Sequence, residues 1–333
     1  MKNPTIVVAG AGSIGCFVGG LLAETAHQVK LLGRGGLAAQ VQQDGLQLTG
    51  SDDLNLRLIP DAISMTTDPS VLEAADIILV TVKSGGTADM AEKIKTHARP
   101  DAVIISLQNG VTNADTLRAV LPQHDVRGGV VGFNVVQMPD GRFHRGTEGD
   151  IILEAGPVPV ATHLTGPHLE VVETADIKAV AWGKLLLNLN NGLNALSGLP
   201  LKTQLENRAW RQILADQMRE ALAAMKAAGV TPKAASPLPP LWVPAVLRLP
   251  NFLFKLIAAG MLKIDPQARA SMWEDLERGR KTEIDELQGA VVALASEHGQ
   301  SAPVNRAVTR HIKAAEAAGP GSPGLTPAAV RSP

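Results

Sequence analysis

The chain has 333 residues, of which 45% are hydrophobic and 19% are charged. At roughly 100–200 residues per domain, this length predicts about two domains. The 31 Lys and Arg residues nearly balance the 32 Asp and Glu residues, so the composition argues against a protein that binds a nucleic-acid backbone. The chain has no tyrosine, so any catalytic acid is something other than a phenol. The single cysteine, Cys16, excludes an intrachain disulfide and favours a cytoplasmic location.

Apolar runs separated by helical stretches fill the N-terminal half. They predict strands at 5–9, 29–32, 76–82, 102–107 and 126–131, with a more peripheral strand at 151–153. Near-continuous β-branched runs of this kind indicate βαβ units around a buried parallel sheet. The uncharged stretch 6–23 belongs to the first unit, and the apolar stretch 241–262 is broken by prolines and cations. We therefore expect no transmembrane segment.

The second half is dominated by helical patterns, which predict helices at 179–196, 205–228, 266–278 and 283–298. We place a nucleotide-binding domain at 1–170 and a helical domain at 171–318. A proline-rich insertion at 232–265 interrupts the helical domain. The Gly- and Pro-rich tail at 319–333 is expected to be disordered.

A G-x-G-x-x-G pattern follows the first predicted strand directly and opens a helix: Gly10-Ala11-Gly12-Ser13-Ile14-Gly15. In this context the first glycine makes a tight turn, the second lets the backbone approach a pyrophosphate, and the third allows close helix–strand packing. The helix N-terminus then offers N–H groups to the phosphates. The alternative is a glycine-rich turn that serves packing alone.

The second predicted strand is followed by Arg34, where a protein that prefers NAD usually has an acidic residue. A guanidinium pairs with a phosphate in a bidentate way, so Arg34 favours NADP(H) over NAD(H). The alternative is a solvated loop charge. Two further strand ends carry polar groups, Lys83 and Asn109, and ligands bind at the carboxyl ends of such strands. Both also fit ordinary turns.

Lys184 and Asn188 are four residues apart on a predicted helix and share one face, which Asn191 continues. Because their neighbours are leucines, these polar groups need partners or a ligand. A partly desolvated lysine can act as an acid or base. The alternative is a lysine that reaches solvent beside asparagines that satisfy each other.

Ser271 and Glu283 complete the candidate site. On one straight helix they would lie ~18 Å apart, too far for one small substrate. Gly279 as a helix stop and Thr282 with Asp285 as a capping box predict a break at 279–282. The alternative for Glu283 is a first-turn carboxylate favoured by the helix dipole. The sequence has no metal-ligand cluster, no P-loop and no G-x-S-x-G elbow, so we expect no metal site.

Together these blocks resemble the ketopantoate reductase (2-dehydropantoate 2-reductase) family from the first strand to about residue 315. The resemblance rests on an ordered set of motifs: Gly10-x-Gly12-x-x-Gly15, Arg34, Val82-Lys83, Gln108-Asn109-Gly110, Lys184-x-x-x-Asn188, Ser271-Met272-x-x-Asp275 and Thr282-Glu283-Ile284-Asp285. It implies a Rossmann-type, doubly wound parallel α/β sheet followed by an all-α C-terminal domain, with the active site in the cleft between them.

The resemblance also implies NADPH-dependent reduction of 2-dehydropantoate to (R)-pantoate, a step toward pantothenate and coenzyme A. Lys184 would be the general acid, and Glu283 would position the lysine and the substrate. Lys83 would lie near the cofactor. The remaining substrate contacts would come from Asn109, Asn188, Ser271 and Asn191, the last of which fits the family pattern only with a one-residue shift.

The sequence leaves other functions open. Ala270 stands where the family often has a second serine, Gln288 where it often has an asparagine, and the insertion at 232–265 is long. A reductase of another small 2-oxo or 3-oxo acid and a non-catalytic NADP-sensing module are therefore the alternatives. We expect no nucleic-acid or membrane partner, and a homodimer is left open.

Overall fold

The computed structural model describes residues 3–25, 28–50, 53–234, 238–259 and 267–331. The chain divides into two compact units, Met1–Ile177 and Lys178–Pro333. The sequence placed this division between residues 170 and 171.

The first unit is built on an eight-stranded sheet with the strand order β12-β11-β8-β7-β6-β1-β2-β5. Its pairings are parallel except for β11, which runs antiparallel to β8. The predicted α/β sheet is thus confirmed, with a mixed edge. The twelve strands among the described residues of this unit are β1 Thr5–Ala9, β2 Gln28–Leu32, β3 Leu46–Gly50, β4 Asn55–Leu58, β5 Ser64–Thr66, β6 Ile77–Val80, β7 Val103–Ser106, β8 Asp125–Val131, β9 Val135–Gln137, β10 Phe143–Arg145, β11 Ile151–Glu154 and β12 Val171–Thr174.

Both faces of this sheet are buried, which explains the uninterrupted apolar strands. Along β1, Ile6 and Val8 belong to one hydrophobic core, while Val7 and Ala9 belong to a second core on the opposite face. Because successive side chains of a strand point to opposite faces, a strand covered on both sides is apolar throughout. The helices of the unit are α1 Ser13–Ala23, α2 Gly35–Asp44, α3 Thr87–His97, α4 Asn113–Val120 and α5 Ala161–Leu164.

A second sheet of the first unit was not predicted from the sequence. Its four strands are arranged in the order β4-β3-β10-β9. Phe143 of β10 pairs with Leu48 of β3, across a long stretch of intervening chain. Strands of three to five residues carry too little periodicity to be recognised alone, and their partners are decided by the tertiary fold.

The second unit is helical among its described residues. Its helices are α6 Ile177–Ser197, α7 Leu201–Glu206, α8 Arg208–Ala227, α9 Val243–Leu247, α10 Asn251–Ile257, α11 Ser271–Glu277, α12 Ala290–Glu297, α13 Pro303–Ala318 and α14 Pro327–Arg331. A single π-type turn, Asp285–Gly289, leads into α12. The predicted all-α domain is confirmed. The expected helix start at 265–266 lies outside the described residues.

The expectation of a disordered tail from residue 319 is wrong for residues 319–331. The Ser322 hydroxyl donates to the Ala195 carbonyl (2.6 Å), and the Leu325 N–H donates to Leu196 O (2.8 Å). Val330 is fully buried within α14. The tail therefore satisfies orphan carbonyls at the C-terminal end of α6, a tertiary role that its composition does not show.

The proline-rich insertion contributes α9 and α10, and its residues 235–237 and 260–265 are not described. Arg211 of α8 holds the insertion through bonds to the carbonyls of Leu247 (3.0 Å) and Leu249 (2.9 Å). No helix among the described residues is long and apolar enough to cross a membrane.

Candidate active site

The glycine-rich loop lies between β1 and α1, and two of its glycines are fixed by close contacts. Gly10 has a φ of 116°, and a Cβ built there would lie 2.4 Å from the backbone nitrogen of Val82. A Cβ at Gly15 would lie 2.5 Å from the Gly10 carbonyl oxygen and 2.6 Å from Thr81 Oγ1. These positions exclude any side chain, because backbone atoms occupy the space.

The middle glycine of the loop differs from the other two. Apart from its chain neighbours, no atom of the described residues lies within 4 Å of a Cβ built on Gly12, which is exposed and precedes α1. The first N–H groups of α1 have no intrahelical acceptors, and Gly12 has no side chain to cap them. The loop is thus an open, uncapped helix N-terminus of a shape and polarity that fit a pyrophosphate.

Arg34 follows β2 and is the residue that precedes α2. Its side chain is exposed and makes no ion pair with any residue that the structure describes. The loop from β2 stays close to the glycine-rich loop, because the N–H groups of Gly10 and Ala11 both donate to Leu32 O at 2.9 Å. Arg34 is therefore close to the glycine-rich loop and able to take an anionic partner.

The ends of β6 and β7 carry Lys83 and Asn109. Lys83 is exposed and Asn109 is half-buried. In the sheet, β6 lies between β1 and β7, so the three strand ends are neighbours. The Thr81 hydroxyl donates to the Gly10 carbonyl at 2.7 Å and ties two of these loops together. The predicted polar groups of the first unit are thus placed along one edge of the sheet.

A buried polar network that the sequence reasoning missed supports these loops. Gln108 donates to the carbonyl of Val82 (3.0 Å) and to the Thr87 hydroxyl (2.7 Å). Asn113 donates to the Ser84 hydroxyl (3.0 Å) and to the Asn109 carbonyl (2.6 Å). Buried polar groups that are fully bonded fix backbone geometry. The signal available in the sequence was the row of polar residues directly after two apolar strands.

In the second unit, Lys184, Asn188 and Asn191 form the predicted stripe along α6. All three are half-buried, whereas Leu185, Leu186 and Leu189 on the other faces are buried. From Lys184 to Asn191 the stripe advances seven positions, or ~10 Å along the helix axis. It therefore offers one cation and two amides over a length suited to a small, polar molecule.

Glu283 acts on Lys184 electrostatically. Burial lowers the pKa of Lys184 from 10.5 to about 8, and the negative charge of Glu283 opposes that shift. The structure thus brings together the two residues that were expected to carry catalysis, although they lie 99 positions apart in the sequence. A lysine with this pKa exchanges its proton near neutral pH.

The first residues of the insertion pack against α6 at Gly183, the residue before Lys184. The Lys233 N–H donates to the Ala179 carbonyl at 2.9 Å, and a Cβ on Gly183 would lie 1.9 Å from the Lys233 carbonyl oxygen. Gly183 is therefore required for this close approach, and the chain at 231–234 covers α6 beside the lysine.

Ser271 is exposed at the first position of α11. The preceding residue, Ala270, donates its N–H to Oδ1 of Asn194 on α6 at 2.9 Å. Asn194 is fully buried and also donates to the Leu199 carbonyl at 2.8 Å. Ser271 is thus held at the level of Asn194, ~15 Å along α6 from Lys184 and nearer to Asn191. Asn194 was not singled out from the sequence.

The predicted break between Ser271 and Glu283 is present. Helix α11 ends in a Schellman motif, in which Gly279 has a φ of 59° and the Arg280 N–H donates to Asp275 O at 2.7 Å. The Thr282 hydroxyl then accepts the N–H of Ile284 at 3.3 Å. The expected capping box with Asp285 is not formed, because the Thr282 N–H donates to Glu316 instead.

Two further residues have structural roles. Gln288 is fully buried and donates to the Leu189 carbonyl (2.9 Å) and to Gln217 (3.0 Å). Cys16 is fully buried, and burial raises the pKa of its thiol to about 12, so it serves packing. Among the described residues, no group of three or more His, Cys, Asp or Glu is placed to hold a metal ion.

Two family models match most of the chain. The model "Ketopantoate reductase PanE/ApbA" matches residues 6–157, and the model of the C-terminal region of the same family matches residues 176–316. Between them they include the glycine-rich loop, the polar stripe of α6 and the segment around Glu283.

Individual relatives agree with this assignment. A 2-dehydropantoate 2-reductase of Halobacterium salinarum is 28% identical over 93% of this chain and 98% of its own length. The crystal structure of a PanE/ApbA family ketopantoate reductase from Ralstonia eutropha is 28% identical, with a TM-score of 0.81 over 94% of this chain and 99% of that one.

A second solved structure shares the fold alone. It is D-mandelate dehydrogenase in complex with NADH and anilino(oxo)acetate, with a TM-score of 0.77 and 20% identity over 94% of this chain and 99% of that one. The two family models, which together span both units, decide the assignment. The chain belongs to the ketopantoate reductase family and is an oxidoreductase of the kind that acts on CH–OH groups.

Proposed function

We propose that the protein uses NADPH to reduce 2-dehydropantoate to (R)-pantoate, a step in pantothenate and coenzyme A biosynthesis, with Lys184 as the general acid. The observation that carries this proposal is the half-buried Lys184 on α6, whose pKa lies at about 8. The negative charge of Glu283 interacts with this lysine and raises its pKa. The choice of substrate is supported by the relatives, several of which are named 2-dehydropantoate 2-reductase.

Lys184 donates a proton from Nζ to the ketone oxygen of the substrate. The nicotinamide, when bound, supplies the hydride. The ammonium charge also stabilises negative charge that develops on the same oxygen, an effect that is strong where water is excluded. Because the chain has no tyrosine, a lysine takes the role of proton donor that a phenol has in other reductases.

Glu283 holds the ammonium group in place and keeps its pKa from falling further. Asn188 and Asn191 lie along the same stripe and bind polar groups of the substrate, while Ser271 lies beyond them at the level of Asn194. The carboxylate of a 2-oxo acid is bonded to the ketone carbon and therefore lies near Lys184, so we assign it to the amide of Asn188 and assign Ser271 to a polar group at the far end of the substrate. Asn109 in the first unit donates to substrate or ribose hydroxyls.

The cofactor is assigned to the loop Gly10-Ala11-Gly12-Ser13-Ile14-Gly15. The uncapped N–H groups of α1 bind the pyrophosphate, and Gly12 leaves room for its approach. Exposed Arg34 pairs with the 2′-phosphate and gives the preference for NADPH over NADH. Lys83 contributes a cation at the neighbouring strand end.

The test is an assay of NADPH oxidation against a panel of 2-oxo and 3-oxo acids, with 2-dehydropantoate first. We expect turnover with 2-dehydropantoate, a lower KM for NADPH than for NADH, and (R)-pantoate as the product. A wild-type enzyme that leaves 2-dehydropantoate unchanged but reduces another oxo acid would refute the substrate and retain the chemistry.

The pH dependence gives a second check. A general acid must be protonated, so we expect kcat for reduction to fall as the pH rises through about 8, the pKa of Lys184. In the reverse direction the neutral lysine is the base, so oxidation of (R)-pantoate should rise over the same range. A kcat profile that is flat between pH 7 and 9 in both directions, measured at saturating substrate, would contradict the role of Lys184.

The alternative catalytic function is reduction of another small 2-oxo or 3-oxo acid. It is favoured by the fold shared with a D-mandelate dehydrogenase that binds anilino(oxo)acetate, and by the insertion that covers α6 at Gly183. A non-catalytic NADP sensor is a third candidate, and binding without turnover over the whole panel would support it. Assembly as a homodimer is a further prediction, in keeping with the ketopantoate reductase of Staphylococcus aureus that is described as dimeric.

A further inference from the structure

Glu316 occupies an unfavourable place for a carboxylate. It lies in the last turn of α13, where the negative end of the helix dipole disfavours an acidic side chain. Its side chain is only 8% exposed, so it also loses most of its hydration. A buried carboxylate at such a position needs compensating bonds from another element.

Those bonds come from the segment directly before Glu283. Oε1 of Glu316 accepts the N–H of Thr282 (2.8 Å) and the Thr282 hydroxyl (2.7 Å), and Oε2 accepts Lys281 Nζ (3.2 Å). Burial raises the pKa of the Glu316 carboxyl, but the bonds from Thr282 and Lys281 outweigh it and the pKa is lowered. The Glu316 carboxylate is thus ionised and hydrogen-bonded to Thr282, the residue that precedes Glu283.

A second contact from α13 lies on the other side of Glu283. Nζ of Lys313 donates to Asp285 Oδ1 at 2.7 Å. Helix α13 therefore holds the chain at residue 282 and again at residue 285, with Glu283 between the two points. The Thr282 hydroxyl also accepts the Ile284 N–H, so the backbone on both sides of Glu283 is linked to Glu316 through Thr282.

We propose that Glu316 is a positioning residue that fixes Glu283 relative to Lys184, with Lys313 as a weaker second support. Glu316 acts through the backbone and hydroxyl of Thr282. This inference rests on the proposed function in one respect, namely that the charge state of Lys184 controls the rate.

Other charged groups around Glu283 also influence the pH dependence of the rate. Lys184 itself responds to burial and to Glu283. The carboxyl of Glu286 has a pKa raised by burial and by the charges of Glu283 and Asp285. Besides Lys184, the described charged side chains that interact with this segment include Lys281, Asp285, Glu286, Lys313 and Glu316.

The experiment compares Glu316→Ala and Glu316→Gln with the wild type by kcat, KM and the pH dependence of kcat. If Glu283 is released, the pKa of Lys184 loses the effect that raises it, so the profile should move to lower pH. We expect Glu316→Ala to lower kcat about tenfold or more, as small displacements at a reacting centre do. Glu316→Gln keeps an acceptor for Thr282, so its effect should be intermediate.

The matched control is Glu297→Ala, which removes an exposed carboxylate from the last turn of the neighbouring helix α12. It should leave the pH profile unchanged. A double variant gives the decisive comparison. In a Glu283→Gln background, Glu316→Ala should have no further effect on kcat. An equal loss in both backgrounds, or a loss of kcat without movement of the pH profile, would overturn the proposal.

A readout without turnover separates this inference from the proposed function. The pKa of Lys184 can be followed by NMR titration of isotope-labelled lysine, with the Lys184→Arg spectrum for assignment. A lower pKa of Lys184 in Glu316→Gln or Glu316→Ala supports the positioning role even if no oxo acid is reduced. An unchanged pKa in both variants, with folding verified by thermal melting, refutes it.

Discussion

The two units assemble their candidate sites in different ways. In the first unit the cofactor loop is one contiguous motif between β1 and α1, and backbone contacts within 3 Å dictate two of its glycines. In the second unit Lys184 and Glu283 come from distant parts of the chain, on α6 and next to the π-type turn. Buried side chains such as Asn194 and Glu316 hold the segments that carry the functional groups.

The difference has a physical origin. A backbone site needs only the right local conformation, so steric exclusion by neighbouring strands is enough to specify it. A side-chain site on helices depends on how separate helices are anchored to one another. Its precision therefore rests on hydrogen bonds that can each be removed by a single substitution.

The largest expected effect tests the helical unit. Lys184→Ala removes the proposed proton donor and should lower kcat by about 10²–10⁴-fold, the usual contribution of general acid catalysis. NADPH binding, measured by fluorescence titration, should change little. The matched control is Lys178→Ala, an exposed lysine on the same helix, which should keep normal kinetics. A Lys184→Ala enzyme with more than a tenth of wild-type kcat would rule the lysine out as the acid.

The next effect separates the glycines of the loop. An added Cβ at Gly12 meets no described atom beyond its chain neighbours, but Gly12→Val fills the space before α1, so the Kd for NADPH should rise about a hundredfold or more with unchanged thermal stability. Gly15→Ala, by contrast, meets backbone and Thr81 atoms and should destabilise the protein by about 1–3 kcal/mol. The measurements are cofactor titration and denaturant unfolding. Equal loss of stability in both variants would contradict the view that Gly12 leaves room for the cofactor whereas Gly15 is needed for packing.

Arg34 gives a smaller effect that is confined to one cofactor. Arg34→Ser should raise the KM for NADPH about 10- to 100-fold, because charge-assisted bonds to a phosphate contribute about 1.5–3 kcal/mol. The KM for NADH should not rise. Arg57→Ser, an exposed arginine on β4, is the control. A parallel rise of both KM values would show that Arg34 does not recognise the 2′-phosphate.

The smallest effect tests the anchoring of Ser271. Asn194→Ala leaves the Ala270 N–H without its buried acceptor and should cost about 1–3 kcal/mol of the free energy of unfolding. The KM for the oxo acid should rise as well, since Ser271 is displaced. Asn207→Ala removes the N-cap bond of α8 and should cost about 1 kcal/mol without a change in KM. A normal KM for the oxo acid in Asn194→Ala would show that Asn194 contributes to stability but does not position Ser271 for substrate binding.

Much of this arrangement could be predicted from the sequence, where local rules apply. The parallel sheet follows from strands such as β1, whose residues are buried on both faces. The break after α11 follows from Gly279, which adopts the left-handed conformation that ends helices. The stripe of Lys184 and Asn188 follows from helical periodicity.

Other features could not be predicted, because they depend on partners far away in the chain. The pairing of β3 with β10 and the order of the tail against α6 are examples. The capping of Thr282 shows the same point: the sequence offered Asp285 three residues later, but the carboxylate that bonds Thr282 belongs to Glu316 on α13.

By itself, the sequence determined the class of the two units, the shape of the glycine-rich loop and the lysine that we propose as the proton donor. Only the tertiary structure decided the pKa of that lysine and the position of the carboxylate that acts on it. The reason is that the glycine pattern that shapes the loop is contiguous in the sequence. Desolvation and charge, by contrast, depend on every group that folding brings near, whatever its place in the chain.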